Sequence, residues 1–311
     1  MYIDMSLIRT NSMQAWLLAS RPKTLTGALI PVILALAWAV HEHVLQNATA
    51  AICCILFAAG MQIAANLIND LYDYQKGTDR EDRLGPERAC AQGWITPSAM
   101  RWGIGVTIVL SCIIGLIALS VTWQQMPYHG LELVAIGILC VIFAFLYTTK
   151  LSYLGWGDVL VLVFFGLVPV CGTYYLQAFT IDSGAIVLSL VAGVAIDALL
   201  VINNYRDRDQ DRISGKRTII VKYGERFGNR LYLGIGGIVA LLLCLMPEVS
   251  IMTRLALIIA GMIYLLLHTM AWKKMTEIRE GRALNRILGL TSRNMFLMAI
   301  LTAIVLILPN L

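Results

Sequence analysis

The chain has 311 residues, of which 59% are hydrophobic and only 14% charged, with a net charge of +5. A mean hydropathy of +0.75 excludes a soluble globular domain of this length. The basic excess lies in a few segments between apolar runs, so it reports membrane topology and an anionic ligand and gives no reason to expect nucleic acid.

Apolar runs of about 17–22 residues recur in chain order, at 24–40, 48–69, 102–121, 131–147, 155–177, 185–201, 231–246, 251–271 and 293–308. Each is long enough to cross ~30 Å of hydrocarbon, and none alternates as a barrel strand does. The expected fold is therefore an all-α polytopic membrane protein, a single domain over 1–311 with nine transmembrane helices. Arg9, Arg21 and Lys23 precede the first run, and Lys76, Arg80, Arg83, Arg88 and Arg101 lie between the second and third. Lys150 follows the fourth, a dense basic set from Arg206 to Arg230 follows the sixth, and another from Lys273 to Arg293 follows the eighth. Only Arg254 falls on the other side. The positive-inside rule then places the N-terminal segment 1–23 and the loops at about 70–101 and 203–230 in the cytoplasm. No cleavable signal peptide is expected, since the first run follows some twenty mixed residues without a small-residue cleavage pattern. Seven cysteines without metal-site spacing read as small packing residues, and the four histidines stand apart from the acids.

Two acidic stretches end apolar runs on the same predicted side. Asn66, Asp70 and Asp73 are spaced i, i+4, i+7; Asn203, Asp207 and Asp211 are spaced i, i+4, i+8. On a helix each set shares one face. An Asp near a bilayer centre costs roughly 2.5–3.5 kcal/mol, so such residues mark a functional site with a partner. Carboxylate and amide oxygens suit Mg2+, which keeps its own waters and bridges to phosphates. Lys76, Arg83, Arg88, Arg206, Lys216 and Arg217 flank the acids and suit diphosphate oxygens, Arg bidentately. Metal, diphosphate and guanidinium groups beside an apolar bundle point to ionisation of a polyprenyl diphosphate. The spacing Asn66-x3-Asp70 recurs as Asn203-x3-Asp207, a faint internal repeat that would bring two halves to one central site. Asp209 faces away from Asp207 and Asp211 and is expected to be solvated.

The motifs Asn69-Asp70-x-x-Asp73 and Tyr205-Arg206-Asp207-x3-Asp211 carry a family likeness. So do Arg21-Pro22-Lys23-Thr24-Leu25, Gly77-Thr78-Asp79, Arg83-Leu84-Gly85-Pro86, Gly215-Lys216-Arg217-Thr218, the fifth run from Phe164 to Tyr175, and Leu284-Asn285-x-x-Leu288. Through them the chain resembles the UbiA superfamily of intramembrane aromatic prenyltransferases, over nearly its whole length. It looks most like the branch that prenylates 1,4-dihydroxy-2-naphthoate. Gly77 stands where many hydroxybenzoate-type members carry an Asp, which favours that branch. Thr148-Thr149-Lys150 departs from the Gly-Gly-Pro run frequent within it.

The resemblance implies nine helices around a central cavity open to the cytoplasm, in the inner membrane of a bacterium. It implies Mg2+ as cofactor, held by Asn66, Asp70 and Asp73 and by Asn203, Asp207 and Asp211. Arg88, Lys216 and Arg217, with Lys76 and Arg206, would hold the diphosphate, and Lys23 the acceptor carboxylate. Tyr147 would face the allylic cation and join the four Asp residues in catalysis. The partners are then polyprenyl diphosphate, 1,4-dihydroxy-2-naphthoate and the lipid bilayer, and the product, after loss of CO2, is demethylmenaquinone. Two rivals are another aromatic acceptor, such as 4-hydroxybenzoate or homogentisate, and a cation-coupled transporter. The second is disfavoured because the outer halves of the runs and the outer loops are nearly uncharged.

Overall fold

The computed structural model describes residues 8–77, 83–147, 151 and 153–310. Thr78, Asp79, Arg80, Glu81 and Asp82, and the Thr148-Thr149-Lys150 stretch, lie outside the described residues.

All regular structure among the described residues is helical. The helices are α1 (Met13–Ser20), α2 (Leu25–His41), α3 (Ala48–Gln75), α4 (Pro97–Ser120), α5 (Leu131–Leu146), α6 (Gly157–Leu162), α7 (Val168–Ala178), α8 (Ser183–Ile213), α9 (Ile219–Tyr223), α10 (Glu225–Cys244), α11 (Ile251–Ile278) and α12 (Asn285–Ile307). Their starts are written in the sequence. Asn47, Thr96, Asp182, Thr218 and Ser250 each accept a backbone N–H from the first turn of α3, α4, α8, α9 and α11. Pro97 adds a fixed φ at the start of α4, where its missing N–H costs nothing.

Eight helical stretches are long and apolar enough to cross a membrane, counting α1 with α2 and α6 with α7; α5 is a shorter apolar helix. The protein is thus an integral multi-pass membrane protein. Its surface agrees: Trp102, Val106, Val109, Leu110, Ile113 and Leu116 stand exposed along α4, and Met252, Leu255, Ile259, Met262 and Leu266 along α11. A soluble monomer rarely exposes apolar patches of that size, whereas hydrocarbon leaves them at no disadvantage.

Helix α8 is the central post. It packs against α2, α6, α7, α10 and α12, and its flanks form much of the main apolar core. Close approach is set by glycine: a Cβ on Gly166 would stand 2.5 Å from the Ser189 carbonyl oxygen and 3.0 Å from Gly193 Cα. Gly166 lies in a π-helical turn, Val163–Leu167, that links α6 to α7 and lets the pair follow α8. At the far end Trp38 Nε1 and the Tyr174 hydroxyl both donate to Asp182, fastening α2 and α7 to the start of α8.

At 1.5 Å per residue, the 31 residues of α8 run about 46 Å and the 28 of α3 about 42 Å. Both outreach ~30 Å of hydrocarbon, so their acid-bearing final turns project beyond it.

Candidate active site

The last turns of α3 hold the first acidic set, and each member is engaged. Asn66, buried, donates through Nδ2 to the Ser20 carbonyl oxygen and to Thr24 Oγ1, both at 2.9 Å, and accepts from Gln62 Nε2. It therefore fixes the elbow between α1 and α2, where Arg21 adopts a left-handed conformation at φ 53°. That conformation is uncommon for a residue with a Cβ and persists only when its surroundings enforce it. Asp70, also buried, accepts the backbone N–H of Ala89 at 2.8 Å and of Cys90 at 2.9 Å, one on each carboxylate oxygen. This folds the loop after α3 back onto the helix and delivers Arg88, whose Nη2 donates to Asp73 Oδ2 at 2.9 Å.

The second set ends α8. Arg206, buried, donates from Nε and Nη2 to both oxygens of Asp207, and from Nη1 to Asn285 Oδ1 at 2.6 Å. Asn285 donates onward to the Leu84 carbonyl oxygen, and Arg282 donates twice to that of Arg83. Gly85 lets these loops close up, since a Cβ there would stand 3.0 Å from Arg206 Nη2 and 3.4 Å from Arg83 Nη2. Asp211 lies 3.6 Å from Lys216 Nζ through Oδ1, while its Oδ2 is buried without a hydrogen-bond partner. Asn203 donates back to the Leu199 carbonyl oxygen of its own helix. Asp209 is exposed beside Arg212, as expected.

The two sets meet through two hubs. The Arg21 guanidinium lies within electrostatic reach of Arg88, Arg83, Arg206 and the Asp70 carboxylate. The phenol of Tyr147, at the end of α5, lies within reach of Asp73 from the first set and Asp211 from the second. Tyr153 adds a third link, with Lys76 Nζ 4.2 Å from its ring centroid and its carbonyl oxygen accepting the Arg217 N–H. A cavity beside this point is lined by Tyr147, Gly155, Gly157, Asp158, Leu200, Asn204, Lys216 and Thr218.

Four guanidinium groups stand near three carboxylates, those of Asp70, Asp73 and Asp207, and the positive charge left in excess suits an anion. A multivalent oxyanion of the phosphate kind would match this cradle of guanidinium groups. The carboxylates of Asp73, Asp207 and Asp211 stand at its edge, each beside a cation. Among the described residues no three His, Cys, Asp or Glu side chains gather as a metal cage. The donors are all oxygen and the Asp211 Oδ2 is unsatisfied, which fits a hard cation held jointly by protein and anion.

Of the sequence-predicted residues, Asp70, Asp73, Arg88, Arg206, Asp207, Asp211, Lys216 and Tyr147 converge here. Lys76 and Arg217 approach through Tyr153. Lys23 is exposed on the turn after α1, and its neighbour Arg21 faces the basic cradle instead. Arg21, Asp158, Asn204 and Asn285 escaped the sequence reading as site residues. Asn204 and Asp211 are seven residues apart, two helical turns, and that spacing could have revealed them as one stripe.

The model of the UbiA prenyltransferase family matches residues 28–300. The 1,4-dihydroxy-2-naphthoate octaprenyltransferase of Escherichia coli K12 is 38% identical over 74% of this chain and 76% of its own. The Haemophilus influenzae enzyme of the same name is 35% identical over 71% and 72%. A solved structure of digeranylgeranylglyceryl phosphate synthase superposes with a TM-score of 0.60 at 16% identity, covering 95% of this chain and 98% of that one. That likeness speaks for the fold alone.

Proposed function

The chain belongs to the UbiA prenyltransferase family, and we propose that it transfers a polyprenyl group from polyprenyl diphosphate to 1,4-dihydroxy-2-naphthoate, releasing diphosphate and CO2 and building the demethylmenaquinone skeleton at the quinol level. The observation that carries this reading is the cradle of Arg21, Arg83, Arg88 and Arg206 against the acid-bearing ends of α3 and α8. The acceptor follows from the names of the two bacterial relatives, which match this chain over about three quarters of its length.

In this reading the arginines and Lys216 bind and orient the diphosphate, leaving the isoprenoid tail among apolar helices. Asp73, Asp207 and Asp211, with Asn66, Asp70 and Asn203 beside them, would hold Mg2+ against the diphosphate. When bound, Mg2+ supplies positive charge that offsets the negative charge growing on the leaving group. As the C–O bond lengthens, the guanidinium groups take up that same charge, arranged in advance and without reorganisation. Tyr147 turns its ring toward the allylic carbon, where an aromatic face stabilises a cation by roughly 0.5–2 kcal/mol. The electron-rich acceptor ring then forms the C–C bond, and its carboxylate leaves as CO2. No covalent enzyme intermediate is needed.

The finer topology belongs to the same proposal. The α5 helix is a ninth, short span, and the site faces the cytoplasm of a bacterium with the chain's amino end on that side. The test is turnover by purified protein in lipid with polyprenyl diphosphate, Mg2+ and a panel of acceptors. The expected result is product from dihydroxynaphthoate; product from 4-hydroxybenzoate alone would overturn the acceptor, and none from any ring would overturn the transfer.

A further inference from the structure

Asp197 lies near the middle of α8, within a run that is otherwise apolar apart from Ser189. It is 8% exposed, and its Oδ1 is buried with no hydrogen-bond partner. Asp158, in the first turn of α6, also buries an Oδ1 without a partner. The two carboxylates lie within electrostatic reach of each other, and both reach the Tyr147 phenol. Among the described residues neither has an ion pair. Asp197, Asn204 and Asp211 recur every seventh residue, so they form one stripe of α8. Asn204 and Asp158 line the cavity, and Lys216 stands at it from the side of Asp211.

Ionised carboxylates accept hydrogen bonds and donate none. Burial leaves one oxygen of each without a donor, a cost that a ligand supplying the hydrogens would remove. Beside Asp158 the space at Gly157 is narrow. A Cβ on Gly157 would meet Leu200 Cδ2 at 3.1 Å and the Tyr147 hydroxyl oxygen at 4.0 Å. Such a slot suits a flat ring with hydroxyl groups on its edge.

We propose that Asp158 and Asp197 form the deep end of the acceptor site and receive hydrogen bonds from the ring hydroxyls of the aromatic acceptor. This deepens the prenyl-transfer reading and rests on it. The ring carboxylate would then point along α8 toward Lys216, the cation at the cavity. The Asp197–Asp211 separation along α8 is about 21 Å, enough for the acceptor ring and the metal-bound diphosphate ester to lie in series.

The test is a fluorescence titration of purified full-length protein in nanodiscs with 1,4-dihydroxy-2-naphthoate and no prenyl diphosphate, followed by steady-state kinetics. Asp197→Asn and, separately, Asp158→Asn are expected to weaken acceptor binding and raise its KM by about ten- to a hundredfold, the worth of a hydrogen bond to a charged group. The KM for prenyl diphosphate and the Mg2+ requirement are expected to stay within about twofold, since the arginine cradle that sets them is untouched. Methylating one hydroxyl of the acceptor is expected to weaken wild type to a similar degree and the matching variant no further. Unchanged acceptor binding in both variants overturns the proposal, as does a shift confined to prenyl diphosphate or Mg2+. If wild type prenylates only a different hydroxylated ring, the naphthoate reading fails and the same titration is run with that ring. Wild type that binds no hydroxylated ring overturns both. Thermal melting of each variant identifies one that has lost its fold, and the other variant then decides.

Discussion

Asp70 and Asp73 are one helical turn apart and do different work. Asp70 gives both oxygens to backbone N–H groups of the following loop, while Asp73 meets Arg88 at the mouth of the basic cradle. Removing a buried acceptor strands its donors at about 1–3 kcal/mol each. Asp70→Ala is therefore expected to cost about 2–6 kcal/mol of stability as well as turnover. Asp73→Ala, which strands Arg88 at the mouth of the cradle, is expected to abolish turnover at a smaller loss of stability than Asp70→Ala. Melting curves beside activity separate the two roles, and equal destabilisation would contradict them. Lys216 lies against Asp211 at the cavity, and Lys216→Ala is expected to raise the KM for prenyl diphosphate about tenfold, one charge-assisted contact. An unchanged KM and kcat would remove Lys216 from the site. Both acidic sets were legible in the sequence because carboxylates are rare in apolar runs. Their partners were not: Asp70 reaches Ala89, and Arg206 reaches Asn285, across distances in the chain that no spacing encodes.

At the scale of elements, the glycine seam between the π-helical turn and α8 sets the position of Asp158 against Asp197. Overpacking a close backbone contact costs about 1–3 kcal/mol, because neither backbone can yield without moving its helix. Gly166→Val is thus expected to lower the melting temperature and to raise the KM for the acceptor more than that for prenyl diphosphate, since Arg21, Arg83 and Arg88 lie on other elements and Arg206 lies about three turns beyond the seam on α8. Full stability in that variant would show that the seam relaxes freely. Eight of the nine apolar runs each fall along one helix and the fifth covers α6, the π-helical turn and α7, since hydropathy sums residue by residue along a helical stretch. Helix ends were less legible. The runs at 48–69 and 185–201 become helices that continue to Gln75 and Ile213, because the polar turns beyond the hydrocarbon leave no apolar signal. The π-helical turn was invisible, as it depends on packing against Ser189 and Gly193.

For the whole molecule, consecutive long helices bring both acidic sets and most basic residues to one side. A cysteine placed at exposed Asp209 is expected to react with a membrane-impermeant maleimide only in inverted vesicles, and one at exposed Tyr128 only in right-side-out vesicles. The opposite pattern would invert the orientation. The orientation is read from basic residues alone, so this labelling pattern is its test. How α3 and α8 approach each other is a property of packing, and it decides whether the two acidic sets form one site or two.

A double-mutant cycle on prenyl diphosphate binding addresses that point most directly. Equilibrium binding of a non-reactive prenyl diphosphate analogue, with Mg2+ present, is measured for wild type, Asp73→Ala, Asp207→Ala and the double variant. One shared site predicts that each single change weakens binding at least about tenfold and that the double variant falls well short of the summed losses. Losses that simply add, or a single change without effect, would contradict a site built jointly by the ends of α3 and α8.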